Sequence, residues 1–169
     1  MKSVEIKVRA HHGMCLAFFA GNRYSKDFSS HMHKVQKHLE EMNPVVEVIA
    51  EEDCICEECP NLTDGLCTKA ALVARYDRQV LFFCDLEEYS KLPWRTFTAQ
   101  VAEAILSQGK REDICGSCQW VAICKGAEHR YLQVPHNLAW GSCEKGYRKG
   151  KPCDPAGKRA GRLSRPEPI

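Results

Sequence analysis

The sequence predicts an α+β fold: a single, mostly helical domain with a small two-stranded sheet and two cysteine-rich loops. Three observations predict it. Apolar residues recur at helical spacing through much of the chain; two short segments, near residues 4–9 and 45–49, read as strands; and the phrase Ile-Cys-x-x-Cys occurs twice, at 55–59 and 114–118, each time followed by a third cysteine. At 169 residues and 44% hydrophobic, the chain is long enough for one core and short for two ordinary domains.

Val4-Glu-Ile-Lys-Val-Arg9 alternates apolar and charged residues, the pattern of a half-buried strand, and delivers Arg9, His11 and His12 to a strand-to-loop junction. From Ser25 to Met42 the residues Phe28, Met32, Val35, Leu39 and Met42 fall at spacings of four, three, four and three, one stripe along an amphipathic helix. Ser25 suits its N-cap and Pro44 stops it. Val45–Ile49 reads as the second strand and leads into the first cysteine loop, where Pro60-Asn61 and Asp64-Gly65 supply turn chemistry. Thr68 to about Phe83 is a helix with Val73, Tyr76, Val80 and Phe83 on one face, and Asp77 and Arg78 are expected on its solvated side. Pro93 suits a first helical turn, and Trp94, Phe97, Val101 and Ile105 continue that helix until Gly109. The second cysteine loop follows, and Gln119 to Lys125 forms a short helix closed by Gly126, with Trp120 and Cys124 on one face.

Eleven cysteines would suggest disulfides in a secreted chain, but the first residues lack the basic opening, long apolar run and cleavage site of a signal peptide. A cytoplasmic protein with reduced thiols is expected, and no run approaches the ~20 apolar residues of a membrane span. The net charge of +2 is uneven: from Lys145 onward eight Lys or Arg face Asp154 and Glu167, which leaves the first 144 residues at −4. Residues 145–169 also hold four Gly and four Pro and few large apolar side chains, so a flexible basic tail is expected there, after a cysteine-rich domain over 1–144. The tail lacks the interleaved aromatics that stack bases, which favours a solubilising role over contact with nucleic acid.

Two matched cysteine triplets, Cys56, Cys59 and Cys67, then Cys115, Cys118 and Cys124, point to metal binding, because C-x-x-C presents two thiolates from one tight turn. Either the pairs meet across the fold in one four-cysteine site, or each triplet anchors its own centre and borrows a fourth ligand. Arg9-Ala-His-His-Gly-Met-Cys15 offers donors for the latter: Cys15 first, then His12 or His11, which could also hydrogen-bond a cluster sulfur. A single histidine there would more often be structural; an adjacent pair beside a cysteine weighs evenly between the two roles.

Zinc and iron–sulfur both accept such pairs. Two C-x-x-C knuckles suit structural zinc, yet the 55 residues between Cys59 and Cys115 far exceed the ~15–20 of ribbon-type sites, and each pair carries a third thiol. Cys59-Pro60 matches the Cys-Pro that closes ferredoxin runs, although their C-x-x-C-x-x-C core is absent. The balance favours one or two iron–sulfur clusters, most simply of the 4Fe-4S type, over Zn2+. Of the other cysteines, Cys84 reads as a core thiol, Cys54 as an alternate ligand awkwardly close to Cys56, Cys143 as an outside fourth ligand, and Cys153 as a tail thiol. Asp53 and Asp113, which precede the repeats, read as loop caps.

At Arg9-x-His-His-x-x-Cys15, Gly21-x-x-Tyr24-Ser25-x-x-Phe28, Ile55-Cys-x-x-Cys-Pro60 with Cys67, and Cys115-Gly-Ser-Cys-Gln-Trp120 with Cys124, the chain resembles a bacterial and archaeal family, domain-of-unknown-function family 1284. Its members are described as predicted iron–sulfur-binding proteins, and the resemblance runs over about residues 7 to 125. It implies Cys15, Cys56, Cys59, Cys67, Cys115, Cys118 and Cys124 as ligands with His11 and His12 beside them: seven thiols and one imidazole would make two four-ligand sites. The basic tail and Cys54 depart from the family pattern.

Three functions follow as expectations. The first is an iron–sulfur protein with redox, electron-transfer or sensing duty and a redox partner protein. The second is a zinc-stapled interaction module whose basic tail contacts nucleic acid or an acidic protein. The third is an iron–sulfur enzyme with an open iron beside His11 or His12, or with Cys15 as nucleophile, although the sequence shows no phosphate loop and no nucleophile elbow.

Overall fold

The structure, a computed structural model, describes residues 6–19, 21 and 25–133. The tail expected over 145–169, together with Tyr24, Cys143 and Cys153, lies outside the described residues.

Strand β1 (Ile6–Arg9) runs directly into helix α1 (Ala10–Cys15). The histidines expected at a strand-to-loop junction therefore stand on the first turn of a helix. Gly13 lets α1 lie close on the middle of the fold, since a Cβ there would run into the ring of buried Phe97. Helix α2 (Lys26–Met42) follows, capped by Ser25, whose Oγ accepts from the Phe28 amide, and ended by Asn43 in the left-handed conformation. Its expected stripe is the buried one at Phe28, Met32 and Leu39, while Met42 at the end is exposed.

Strand β2 (Val45–Ile49) lies at the centre of a three-stranded sheet. It pairs in parallel with β1, in the register Ile6 to Val46 and Arg9 to Ile49, with α2 in the crossover that a parallel pair requires. The two-stranded sheet of the sequence reading gains a third member, β5 (Ser90–Pro93), antiparallel to β2 with Val48 opposite Ser90 and Val45 opposite Pro93. Ser-Lys-Leu-Pro has no strand signature of its own. Pairing with β2 makes it a strand, and Pro93 is tolerated because β5 is an edge.

Between β2 and helix α3 (Ala70–Cys84) the first cysteine segment forms a single 3-10 turn at Cys56–Glu58 and a hairpin of β3 (Leu62–Thr63) and β4 (Leu66–Cys67). Helix α4 (Trp94–Val101) continues through a π turn at Ala102–Leu106 to Gly109, whose φ of +66° ends it. Helix α5 (Arg111–Cys115) ends on a cysteine, so the second segment is a helix–turn–helix and not a loop. Helix α6 (Val121–Gln133) runs through Gly126 instead of closing there. A mid-helix glycine costs only about 1 kcal/mol, and beyond it Ala127 packs into the core and Glu128 finds Arg111. Val8, Val46 and Val48 from the sheet and Val80, Phe97, Val101 and Ile105 from α3, α4 and the π turn share one core, which makes this an α+β fold, mostly helical.

Candidate metal centre

The two repeats fold into the same pair of turns. The Cys59 amide donates to the Cys56 carbonyl and the Leu62 amide to the Cys59 carbonyl, each at 2.9 Å; the Cys118 amide donates to the Cys115 carbonyl at 2.9 Å and the Val121 amide to the Cys118 carbonyl at 3.0 Å. Ile-Cys-x-x-Cys thus encodes one local geometry twice. Both isoleucines, Ile55 and Ile114, are buried pegs beneath their turns.

Asp53 fixes the first turn. Its Oδ1 accepts the amides of Ile55 (2.9 Å) and Cys56 (3.2 Å), the expected Asx cap, while Oδ2 accepts the Arg9 amide and the Nδ1 of His12, both at 2.7 Å. Burial would push this carboxyl up, but His12, the Arg9 amide and the Cys56 amide outweigh it and hold the group well below the ordinary carboxylate range. Asp113, its counterpart in the sequence, is exposed on α5.

A second buried carboxylate lies beneath. Asp77, expected on a solvated face beside Arg78, is fully buried, whereas Arg78 is exposed. Asp77 Oδ1 accepts the amide (3.0 Å) and Nδ1 (2.7 Å) of His11, and its Oδ2 accepts Arg9 Nε at 2.7 Å. Burial again opposes ionisation, and the hydrogen bonds from His11 and Arg9 reverse it, so Asp77 sits below its usual range. Burial, and then the charge of neighbouring His12, push His11 down, so its ring is neutral near pH 7 and donates Nδ1–H to Asp77. Both histidines therefore have Nδ1 engaged by a buried carboxylate and Nε2 left over, and their rings lie 4.4 Å apart. This is the orientation a protein gives imidazoles that ligate metal.

In the second repeat the anchoring group is Arg111, 1% exposed. Its Nε and Nη2 donate to Glu128 at 3.3 and 3.2 Å, and its Nη1 reaches Cys115 Sγ at 3.8 Å. Burial pushes the Cys115 thiol up to about 11 against the pull of Arg111; burial and the charge of Asp53 push Cys56 up to about 12. Burial raises Cys59 as well.

These groups converge on a cavity of about 250 Å3 with largely apolar walls. Eight of the nine sequence-nominated residues line it: His11, His12, Cys15, Cys56, Cys59, Cys67, Cys115 and Cys118. Cys124 is not part of the lining and is buried in the core. Met14, Phe28, Met32, Leu72 and Val73 supply the apolar wall, and Lys69 Nζ donates to Gln119 Oε1 (3.2 Å) to join the two cysteine segments near the surface. Cys54 lies away from the lining, its Sγ 3.9 Å from the Lys7 carbonyl, with burial lifting its thiol to about 11. Cys84 is the core thiol expected, lifted by burial to about 12. None of the nine described cysteines is in a disulfide.

Asp77 and Arg111 are the site residues that sequence reasoning missed, while Arg9 was placed beside the histidines without a role. The signal for Asp77 was its place between Val73, Val80 and Cys84, on the apolar stripe of α3; that for Arg111 was its spacing of four from Cys115 on one helix.

Among the described residues, donor atoms of His12, Asp53 and Cys56 lie within 4.8 Å of one another and could hold a metal ion. Asp53 already accepts four hydrogen bonds, which suits it to orient His12 better than to ligate. A single zinc ion, with Zn–S near ~2.3 Å, needs its sulfurs within about 4.6 Å of each other, and among the described residues no three thiols come within 4.8 Å of one another. The donor set, soft and thiolate-rich with apolar walls, fits a polynuclear iron–sulfur group.

Fold and site together define a small α+β protein built around a thiol-lined cavity. The chain belongs to the family described as protein of unknown function (DUF1284), whose model matches residues 23–124. His11, His12 and Cys15 precede the matched stretch. No curated protein and no solved structure matches the chain. Among the described residues no helix is long and apolar enough to cross a membrane.

Proposed function

We propose that the cavity holds one four-iron iron–sulfur cluster, with Cys56, Cys59, Cys115 and Cys118 as its ligands, and that the protein serves electron transfer or redox sensing with a partner protein. The observation that carries this is the convergence of both C-x-x-C turns, from distant parts of the chain, on one cavity of about 250 Å3. A bound cluster would supply a one-electron couple. The chain's own part is to present the thiols from paired turns, to exclude water with Phe28, Met32, Leu72 and Val73, and to keep Cys15, Cys67 and His12 as flanking donors. Because burial keeps Cys56 and Cys115 protonated, loading releases protons and is favoured by higher pH.

One observation favours a second reading, zinc at the His12 and Cys56 corner: the proximity of those donors to Asp53. Anaerobic purification with matched iron, acid-labile sulfide and zinc analysis separates the two. Equal iron and sulfide with broad visible absorbance supports the cluster; stoichiometric zinc without sulfide overturns it.

A further inference from the structure

Each repeat has a buried arginine beside its leading cysteine. Arg9 and Arg111 are 3% and 1% exposed, and each is clamped along one edge of its guanidinium: Arg9 by Asp77 (Nε to Oδ2, 2.7 Å) with Nη2 on the Ala50 carbonyl (3.0 Å), Arg111 by both oxygens of Glu128. Arg111 Nη1 lies 3.8 Å from Cys115 Sγ; Arg9 lines the cavity together with Cys56, and Asp53 accepts the backbone amides of both. Carboxylate, arginine and cysteine are thus neighbours in both repeats. Yet the two arginines have unrelated origins: Arg9 ends a strand 47 residues before Cys56, and Arg111 precedes Cys115 by one helical turn. Copying of a repeat does not account for that agreement, whereas a shared demand at the sulfur does.

We propose that Arg9 and Arg111 are positioning residues that hold the leading thiolates, Cys56 and Cys115, by N–H···S hydrogen bonds and so raise the electron affinity of the centre, a proposal that rests on the cluster reading above. Each arginine is largely neutralised by its own carboxylate. What it adds at the sulfur is a directed donor in a dry setting, where such bonds are strong. Donors to ligand sulfurs favour the more negative, reduced state, and hydrogen bonding at sulfur is one of the levers that set cluster potentials.

Arg9→Lys and Arg111→Lys keep the charge and the carboxylate partner but lose the free edge of the fork. The test is the midpoint potential of anaerobically prepared full-length protein for wild type, both variants and a surface control, Lys125→Gln. Each arginine variant is expected to lower the potential, by about tenfold in the ratio of reduced to oxidised centre, or ~59 mV for one electron, while the control matches wild type. Loss of iron from a variant with unchanged far-UV circular dichroism, with iron retained in the control, also supports a hold on the thiolates. Wild-type potentials in both arginine variants, with full iron and sulfide, would overturn the proposal and leave the cluster standing. Zinc in place of iron and sulfide in wild type would instead remove the cluster reading itself, so the two failures are distinguishable.

Discussion

The first and second cysteine triplets share a phrase and a pair of turns but not a foundation. Cys56 and Cys59 stand on a segment with little regular structure, held by two buried carboxylates, Asp53 and Asp77, that tie it to β1, α1 and α3. Cys115 and Cys118 join two helices, and backbone hydrogen bonding holds them, with Arg111 and Glu128 reinforcing one side. The five-position phrase Ile-Cys-x-x-Cys suffices to specify the turn. What surrounds the turn is supplied by the rest of the fold, and polar burial replaces helix where helix is lacking.

Removing the deepest carboxylate should break this contrast most severely. Asp77→Ala leaves Arg9 buried without its partner and His11 without its acceptor, and should destabilise the protein by about 3–5 kcal/mol; Glu128→Ala, at a site nearer the solvent, should cost clearly less. Urea unfolding of both variants measures the difference, and equal losses would mean that the two foundations are equivalent. Next in size, Asp53→Ala should cost about 1–3 kcal/mol through the loss of its amide and imidazole contacts, while Asp113→Ala should stay within about 0.5 kcal/mol.

Acid should separate the two regions as well. His11 has a folded pKa below its unfolded 6.5, so it contributes stability that is complete above that pH and is lost as pH falls. Asp53 and Asp77, both depressed from 3.8, act in the same sense at lower pH, so their contribution is lost as pH drops below about 4. All three groups belong to the first triplet's foundation. Hydrogen exchange between pH 7 and about 3 should therefore show the amides of Arg9, His11 and Cys56 losing protection before those of Cys118 and Val121; simultaneous loss would contradict the contrast. The smallest effect belongs to the surface tie between the segments: Lys69→Ala, which removes an exposed bond to Gln119, should change the urea midpoint by no more than about 0.5 kcal/mol.

Much of the architecture was legible because its signals are local. The stripe through Phe28, Met32 and Leu39 with its Ser25 cap, the run Val45–Ile49 and the two C-x-x-C turns each depend on neighbours in sequence. Strand β5 was not legible, because its pairing with β2 and not its composition makes it a strand. Helix α6 outran Gly126 for a similar reason, since packing beyond the glycine offsets its cost. At the site, the thiols and imidazoles were readable as chemical types, and eight of nine do line one cavity. Asp77 and Arg111 were missed because a charged residue on an apolar stripe is ordinarily solvated, and only the partner contributed from elsewhere, Arg9 for one and Glu128 for the other, makes burial affordable.

The central claim is that the two triplets serve one shared centre. Its most direct test compares iron and acid-labile sulfide in anaerobically purified wild type, Cys56→Ser and Cys115→Ser. A shared centre predicts that either substitution alone removes essentially all of both. Retention of half the iron and sulfide in each variant would contradict it and assign one centre to each triplet.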